Sequence, residues 1–507
     1  MELQSKRKFL TLNTNKLLLA AVFLALAVIS GGQLVNTEKD LVASQQIVNG
    51  TPVKLLEPKE SNGALVFIAH GFAGSSNFMR PLAVSLSHSG FTTIRYDFLG
   101  HGENKNPYSG SITQLSGATE NFVNQTNSIV NHYKEVYEPE KMVLIGHSMA
   151  SDIIMRTALK RDDIFSVIGI SAYTDAITAK KPSNILILNG EWEPRLKLKA
   201  YDILTKIGIA RPEEDMTYGS FNDGSARKIS TIINADHVGI LFSERTQIAV
   251  GAWLNEIFKS EIISKTNKMG IWIAIFLLSI FILIIFFILS FPKLAAEGFN
   301  VSFKKFIILS LLSSFITPLI LTYGKIPFIN YSAQNHLINH LFLYTCICWI
   351  CVPLHSLGKF ASDRYLQLFS ILVIVYTFTI GVALNSYVST FIPLNFERLS
   401  LLAILLIGCI PYMMFVQVLR HSQSYGWLMA TISNTFLIVS LALSVYLNFK
   451  ELFLIGYSIL LFILFSGVFG LLSTMVAKRV NSHLAIANAN GVLLACAFAT
   501  AIPLYIP

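Results

Sequence analysis

The chain has 507 residues, 53% hydrophobic and only 14% charged, with a mean hydropathy of +0.56. That balance excludes a wholly water-soluble protein, because so few charges cannot cover so much apolar surface. The net charge of +9 does not point to nucleic acid: the basic residues of the second half stand in short gaps between apolar runs, where membrane orientation accounts for them.

The acids divide the chain. Beyond Met269 only Glu297, Asp363, Glu397 and Glu451 remain, so a charged half is followed by an apolar one. Residues 1–36 read as a cytoplasmic N-terminus and transmembrane anchor: Lys6, Arg7, Lys8 and Lys16 precede an apolar run from Leu17 to Ser30. The run is long enough for a signal-peptide core and, with its flanks, to span a bilayer. An uncleaved anchor is favoured because no A-x-A site follows. Both readings export what comes next.

Residues 37–268 alternate short apolar strands with amphipathic helices, the pattern of a mostly parallel sheet covered on both faces. Strands are expected at Ala64–Ala69, Thr92–Tyr96, Met142–Ile145, Ser166–Ile170, Asn184–Leu188 and Ile229–Ile233, and helices at Arg80–Ser89, Leu115–Tyr137 and Phe242–Phe258. After the third of these strands comes Gly146-His147-Ser148-Met149-Ala150. Small residues two before and two after Ser148 let a strand turn sharply into a helix and lift the hydroxyl above the sheet. The stretch resembles the nucleophile elbow of the α/β-hydrolase family, with Ala150 in place of the last glycine of G-x-S-x-G.

The resemblance extends downstream in the family's order of serine, acid, histidine. Gly190-x-x-Glu193-Pro194, at the end of a strand, resembles the acid loop and makes Glu193 the carboxylate, with Glu191 in reserve. His237, after the last strand and before the closing helix, stands where the family keeps its general base, and Asp236 beside it is expected to cap that helix or hold loop backbone. Met149, directly after the serine, and Phe72, in the His70-Gly71-Phe72 loop that looks like the family's H-G-x segment, are the expected oxyanion donors. His70, Asp97 and His101 are read as structural. Only Ser171–Ser183 separates the strand after the serine from the next, too little for a large cap. Lys180, Lys181, Arg195, Lys197 and Lys199 flank the acid loop and read equally as a contact for anionic head groups or as solvated lysines.

Residues 269–507 hold eight apolar runs: 271–291, 306–323, 341–357, 365–388, 399–419, 427–447, 452–476 and 484–505. With the anchor that makes nine candidate spans in an all-α transmembrane domain. If Met1 is cytoplasmic, the loops on its side hold Lys293, Lys304, Lys305, Lys359, Arg364, Arg420, Lys478 and Arg479, against Lys325, Arg398 and Lys450 opposite. That bias puts the charged domain outside, on the periplasmic face of a bacterial inner membrane. No run carries an ionisable acid or base well inside it, which argues against an ion-coupled transporter. His336 and His340 read as polar residues at the outer edge of a span, Asn434, Pro318, Pro353 and Pro411 as helix contacts and kinks. The five cysteines all lie in apolar runs. Cys346-x-Cys348-x-x-Cys351 is read as packing, so no disulfide, metal or cofactor is expected.

The first functional reading is a membrane-bound serine hydrolase that cleaves a carboxylic ester or thioester of a membrane lipid or lipid-linked molecule through an acyl-enzyme. A second is an acyltransferase using the same triad. A third, of another class, is a transporter or scaffold with a vestigial hydrolase domain.

Overall fold

The computed structural model describes residues 14–110, 115–258, 265–293, 298–324, 326–353, 365–480 and 482–507. Lys6, Arg7, Lys8, Lys325, Lys359 and Arg364, on which part of the orientation argument rests, lie outside the described residues, as does the end of the run expected at 341–357. The chain forms two compact units, one of Val28–Phe276 with Ser386–Thr390, the other of Met1–Ala27, Leu277–Asn385 and Phe391–Pro507.

The first unit is built on β1 (Leu41–Val48), β2 (Thr51–Pro58), β3 (Ala64–Ala69), β4 (Thr92–Tyr96), β5 (Lys141–His147), β6 (Ile164–Ile170), β7 (Ile185–Gly190), β8 (Thr217–Tyr218) and β9 (Arg227–Ile232). They make one nine-stranded sheet in the order β1-β2-β4-β3-β5-β6-β7-β9-β8. The strands from β4 through β9 run parallel, and the antiparallel pairs are confined to the edges at β1-β2, β2-β4 and β8-β9. Every residue of β3 is buried, as is all of β5 except Lys141. That is what a central strand covered on both faces requires, and why these stretches read as continuous apolar runs.

Helices α2 (Arg80–His88), α3 (Glu120–Tyr137), α4 (Met149–Leu159), α5 (Pro194–Lys206) and α6 (Glu244–Phe258) complete this unit, α2 packing on α6 and α3 on α4. The Trp253 indole of α6 donates to the Ser166 hydroxyl of β6 at 3.0 Å. The six expected strands are all present. The β1-β2 hairpin was not expected, although its turn is Asn49-Gly50, with φ of 49° and 78°, the pair that a two-residue turn with two left-handed positions selects.

Seven helices of the described residues are long and apolar enough to cross a membrane: α1 (Thr14–Asn36), α7 (Met269–Ser290), α8 (Phe303–Tyr323), α12 (Phe396–Arg420), α13 (Gly426–Leu447), α15 (Ile455–Ala477) and α16 (His483–Ala501). Nine were expected, and the other two runs are matched only in part among the described residues. The run 341–357 corresponds to α9 (Ser332–Trp349), which starts earlier and includes the polar residues Gln334, Asn335, His336, Asn339 and His340. The run 365–388 is broken into α10 (Tyr365–Tyr376), a wider-wound turn at Thr377–Gly381, and α11 (Val382–Tyr387). The short α14 (Phe449–Leu452) precedes α15.

Two further expectations about this unit are corrected. His336 and His340 are buried in the bundle rather than set at a polar edge, and the His340 Nε2 lies 2.9 Å from the Ser440 hydroxyl. The reason is that α9 faces other helices over its whole polar half. Arg398, assigned to a loop, is 1% exposed and donates through Nη1 to the carbonyls of Ala499 at 2.7 Å and Ile502 at 3.0 Å. It supplies a cation to the carbonyls that the end of α16 leaves unpaired.

Ile145 lies on central β5 with no exposed surface. Ile145→Ala is expected to destabilise this unit by about 2 to 4 kcal/mol, read as lost hydrogen-exchange protection of the β5 amides in the full chain. An unchanged exchange rate would contradict this placement of the core.

Candidate active site

Strand β5 delivers its last residues to a corner that only small side chains can turn. A Cβ on Gly146 would stand 2.6 Å from the Ala150 carbonyl oxygen, so glycine is required there on steric grounds. Ala150 is fully buried, and its extra methyl is accommodated. Between them Ser148 adopts φ 53° and ψ −118°, a conformation costly for a residue with a side chain and held only because its surroundings fix it. They do so through hydrogen bonds: the Ser148 amide donates to the Ile170 carbonyl at 2.8 Å, and the Ser148 carbonyl accepts from the Ser151 amide at 2.9 Å and hydroxyl at 2.6 Å.

The ends of β5, β7 and β9 bring three distant side chains together. His237 Nε2 lies 3.0 Å from Ser148 Oγ, and His237 Nδ1 lies 2.5 Å from Glu193 Oε1. A carboxylate can only accept, so Nδ1 carries the proton and Nε2 is left as the acceptor facing the hydroxyl. That is the tautomer a general base needs.

Glu193 precedes Pro194 at the start of α5. Its second oxygen, Oε2, accepts from the Gly190 amide at 2.7 Å and from the Ser171 hydroxyl at 2.7 Å. Burial works against the charged carboxylate, but the bonds from His237, Gly190 and Ser171 outweigh it and hold the group below the usual glutamate range. Glu191, the reserve, is engaged elsewhere, accepting the Asn234 amide at 2.8 Å. Asp236 Oδ1 accepts the amides of Val238 at 3.0 Å and Gly239 at 2.5 Å, fixing the loop that carries His237.

Gly71 is next to the serine: a Cβ there would be 3.1 Å from the Ser148 Cβ. The loop carrying Phe72 therefore borders the hydroxyl, and Met149 follows it at the first position of α4. His70 is fully buried, with Nδ1 2.7 Å from the Gly71 carbonyl and Nε2 accepting the Phe98 amide at 3.1 Å. Burial keeps it neutral at ordinary pH. Asp97 accepts the amides of Ser76 and Glu103, which places it, with His70, in the scaffold of these loops.

The sequence reading missed two residues. Ser171, read only as the start of a loop, holds Glu193. His147 donates from Nε2 to the His237 carbonyl at 2.7 Å, fastening the histidine loop to the elbow. Burial, followed by the nearby His237 charge, pushes His147 down to about 4. Of the basic residues near the acid loop, Lys181 pairs with Asp162, Lys199 with Asp175 and Lys197 with Glu214, so the head-group reading loses three of its five members.

A nine-stranded, mostly parallel sheet with a serine on a strained turn after its central strand decides the architecture. This unit has the α/β-hydrolase fold. Residues 60–211 match the family model described as serine aminopeptidase, S33. A proline iminopeptidase from Saccharolobus solfataricus is 32% identical over 107 residues, 21% of this chain and 32% of that protein. The chain thus spans about a third of the length of the curated relative it matches. Among solved structures, an epoxide hydrolase from Vigna radiata shares 19% identity over 28% of this chain and 43% of its own, with a TM-score of 0.22. An α/β serine hydrolase without a lid from Xanthomonas campestris shares 15% over 42% and 95%, with a TM-score of 0.31. Among the described residues of the hydrolase unit no helix lies between β6 and β7, where only residues 171–184 intervene.

Glu193→Gln is expected to lower the labelling rate of Ser148 by a fluorophosphonate by roughly 10² to 10⁴, because the amide no longer enforces the Nδ1–H tautomer. Ser171→Ala, which removes one of three bonds to the carboxylate, should cost about tenfold or less. His147 is depressed in the folded state, so its contribution is fully present above the unfolded value of about 6.5 and is lost as pH falls through about 4. The full chain should therefore lose roughly 3 kcal/mol over that window, and His147→Gln should flatten the acid side of the melting-temperature profile.

Proposed function

We propose that the protein is a membrane-bound serine hydrolase acting on carboxylic esters or thioesters of lipid-like molecules. The observation that carries this reading is the hydrogen-bonded chain from Ser148 through His237 to Glu193, with the His237 side chain 47% exposed and the Glu193 side chain 5%. The base is open to an arriving substrate while its carboxylate is shielded.

In this mechanism Ser148 Oγ attacks the carbonyl carbon as its proton passes to His237 Nε2. The oxyanion is met by the amides of Phe72 and Met149. Collapse expels the alcohol or thiol, which takes the proton from His237 and leaves an acyl-Ser148. Water, deprotonated by His237, attacks the acyl carbon, and the acid departs as the proton returns to Ser148. Glu193 stays ionised throughout and balances the imidazolium.

Support for an apolar substrate comes from the loops that carry these residues. Trp192, Tyr173 and Val238 are 64%, 62% and 44% exposed, and each is next to or within two residues of Glu193, Ser171 or His237, apolar surface that suits a lipid-like substrate. The basic residues Lys6, Arg7, Lys8 and Lys16 before the first apolar run favour an extracytoplasmic hydrolase. A peptidase is the second reading, favoured by the description of the matching family model.

Labelling of the full chain in membranes with a fluorophosphonate tests the nucleophile: the wild type should label, and Ser148→Ala should not. An unlabelled wild type would favour the vestigial-domain reading. With the labelled protein, p-nitrophenyl acyl esters should turn over faster than prolyl p-nitroanilide; the reverse order replaces the esterase with the peptidase. An added alcohol acceptor that captures the acyl group in preference to water would make the enzyme an acyltransferase. A membrane-impermeant probe reads the side of the membrane directly.

A further inference from the structure

The hydrolase unit has an open cleft of about 260 Å³ between the start of α3 and the end of α4. One water needs about 10 to 15 Å³ by the same measure, so the cleft has room for a group of many atoms. Part of its wall comes from the way α3 begins. Leu115–Thr119, just before it, form a wider-wound turn, and Gly117 inside that turn has φ −102° and ψ −128°, outside the helical range. The cleft is set apart from the reacting side chains. Arg156 and Lys160, which line it, follow Ser148 by roughly 12 and 18 Å along α4 at 1.5 Å per residue.

The walls carry both signs of charge. Arg156 and Lys160 come from the end of α4, and Glu120 from the first position of α3. The Arg156 Nε donates to Asp152 Oδ2 at 2.6 Å, and the other Asp152 oxygen accepts the Thr174 hydroxyl at 2.7 Å. That pairing holds the guanidinium in place while Nη1 and Nη2 make no hydrogen bond among the described residues. Arg156 and Lys160 against Asp152 and Glu120 sum to zero, so these walls complement a ligand without net charge. What they ask for is an anionic group facing Arg156 and Lys160 and a cationic group facing Glu120.

The chemistry of each group follows from its surroundings. Phosphate suits an arginine fork with a lysine beside it. On the other wall Ser116 and Thr119 add hydroxyl acceptors near the Glu120 carboxylate, so an ammonium with several N–H donors can be met at more than one point. A quaternary ammonium donates nothing and is held by aromatic faces, and no aromatic ring is among the described residues of these walls. Leu115, Val123 and Leu159 complete the lining, and Leu115 is 59% exposed. An alkyl chain would cover that apolar surface.

We propose that this cleft binds a phosphoethanolamine lipid. The phosphate rests on Arg156 and Lys160, the primary ammonium on Glu120, Ser116 and Thr119, and the chain along Leu115, Val123 and Leu159. The site is separate from Ser148, so it stands or falls apart from the esterase reading.

The full chain in a mild detergent is irradiated with a lysophosphatidylethanolamine that carries a diazirine in its acyl chain, and the adducts are mapped by peptide mass spectrometry. The wild type and Ser148→Ala, which cannot consume the probe, should both carry adducts within residues 115–123 and 156–160. Unlabelled lysophosphatidylethanolamine should compete about tenfold better than the choline or glycerol lysolipid of the same chain, the worth of one charge-assisted hydrogen bond. Glu120 and Lys160 are exposed, so Glu120→Gln and Lys160→Gln leave the fold intact, and each should weaken adduct formation by a similar factor. Glu120→Gln should also erase the preference over the choline lipid. Equal competition by sn-glycero-3-phosphoethanolamine overturns the lipid in favour of a soluble ligand with the same head. Adducts confined to other residues, equal competition by the choline lipid, or unchanged labelling in both variants overturns the proposal.

Discussion

The backbone of one residue governs the hydrolase unit. Ser148 is held at a positive φ that a side chain disfavours, and it stays there because β5 ends in Gly146, which lets the strand approach the Ala150 carbonyl, and because Ile170 and Ser151 bind its peptide groups. Strain of this sort persists only where the surroundings over-determine it. The hydroxyl is thereby set at the edge of the sheet with few degrees of freedom, and the cost is met by the buried strands on either side. The conformation has a chemical consequence, since it fixes where a base must arrive.

The rest of the site is an answer to that position. His237 arrives from the far side of the sheet on a loop held three times: by Asp236 to its own backbone, by His147 to its carbonyl, and by Glu193 to its ring. Glu193 is in turn held by Gly190 and Ser171. Each side chain that would react is thus flanked by one whose task is to limit its motion, which is how a site keeps reacting atoms in register. The two histidines at the elbow divide the work by burial. His147 is dehydrated and kept neutral so that it can only brace, while His237 is open to solvent on one side.

The helical unit follows another logic. Its helices bury serines, asparagines and histidines against one another, as in the contacts of His340 with Ser440 and of Tyr412 with Asn434, because lipid offers polar groups no alternative partner. Two of its arginines near helix ends, Arg398 and Arg420, are treated differently. Arg398 is enclosed and spends its donors on the carbonyls at the end of α16; Arg420 is half-buried and reaches the Thr474 hydroxyl through Nη1 at 3.5 Å. Both were legible as interfacial charges from the sequence, and their environments were not, because hydropathy reports how apolar a run is and nothing about what its ends meet.

The sequence by itself determined the order of strands and helices in the hydrolase unit, the corner at Ser148 and the identity of its partners Glu193 and His237. The strands and the corner depend on local constraints that residue type expresses directly, apolar runs for buried strands and small residues at a sharp turn, while the acid and the histidine follow from the resemblance to the α/β-hydrolase order of serine, acid and histidine. It determined too that much of the chain is apolar enough for a membrane. Only the tertiary structure decided that Ser171 holds Glu193, that His147 braces the His237 loop, and that His336 and His340 are enclosed in the bundle beside Ser440. In each of these the deciding contact joins residues far apart in the chain, so its strength depends on where packing places them, which no local pattern encodes.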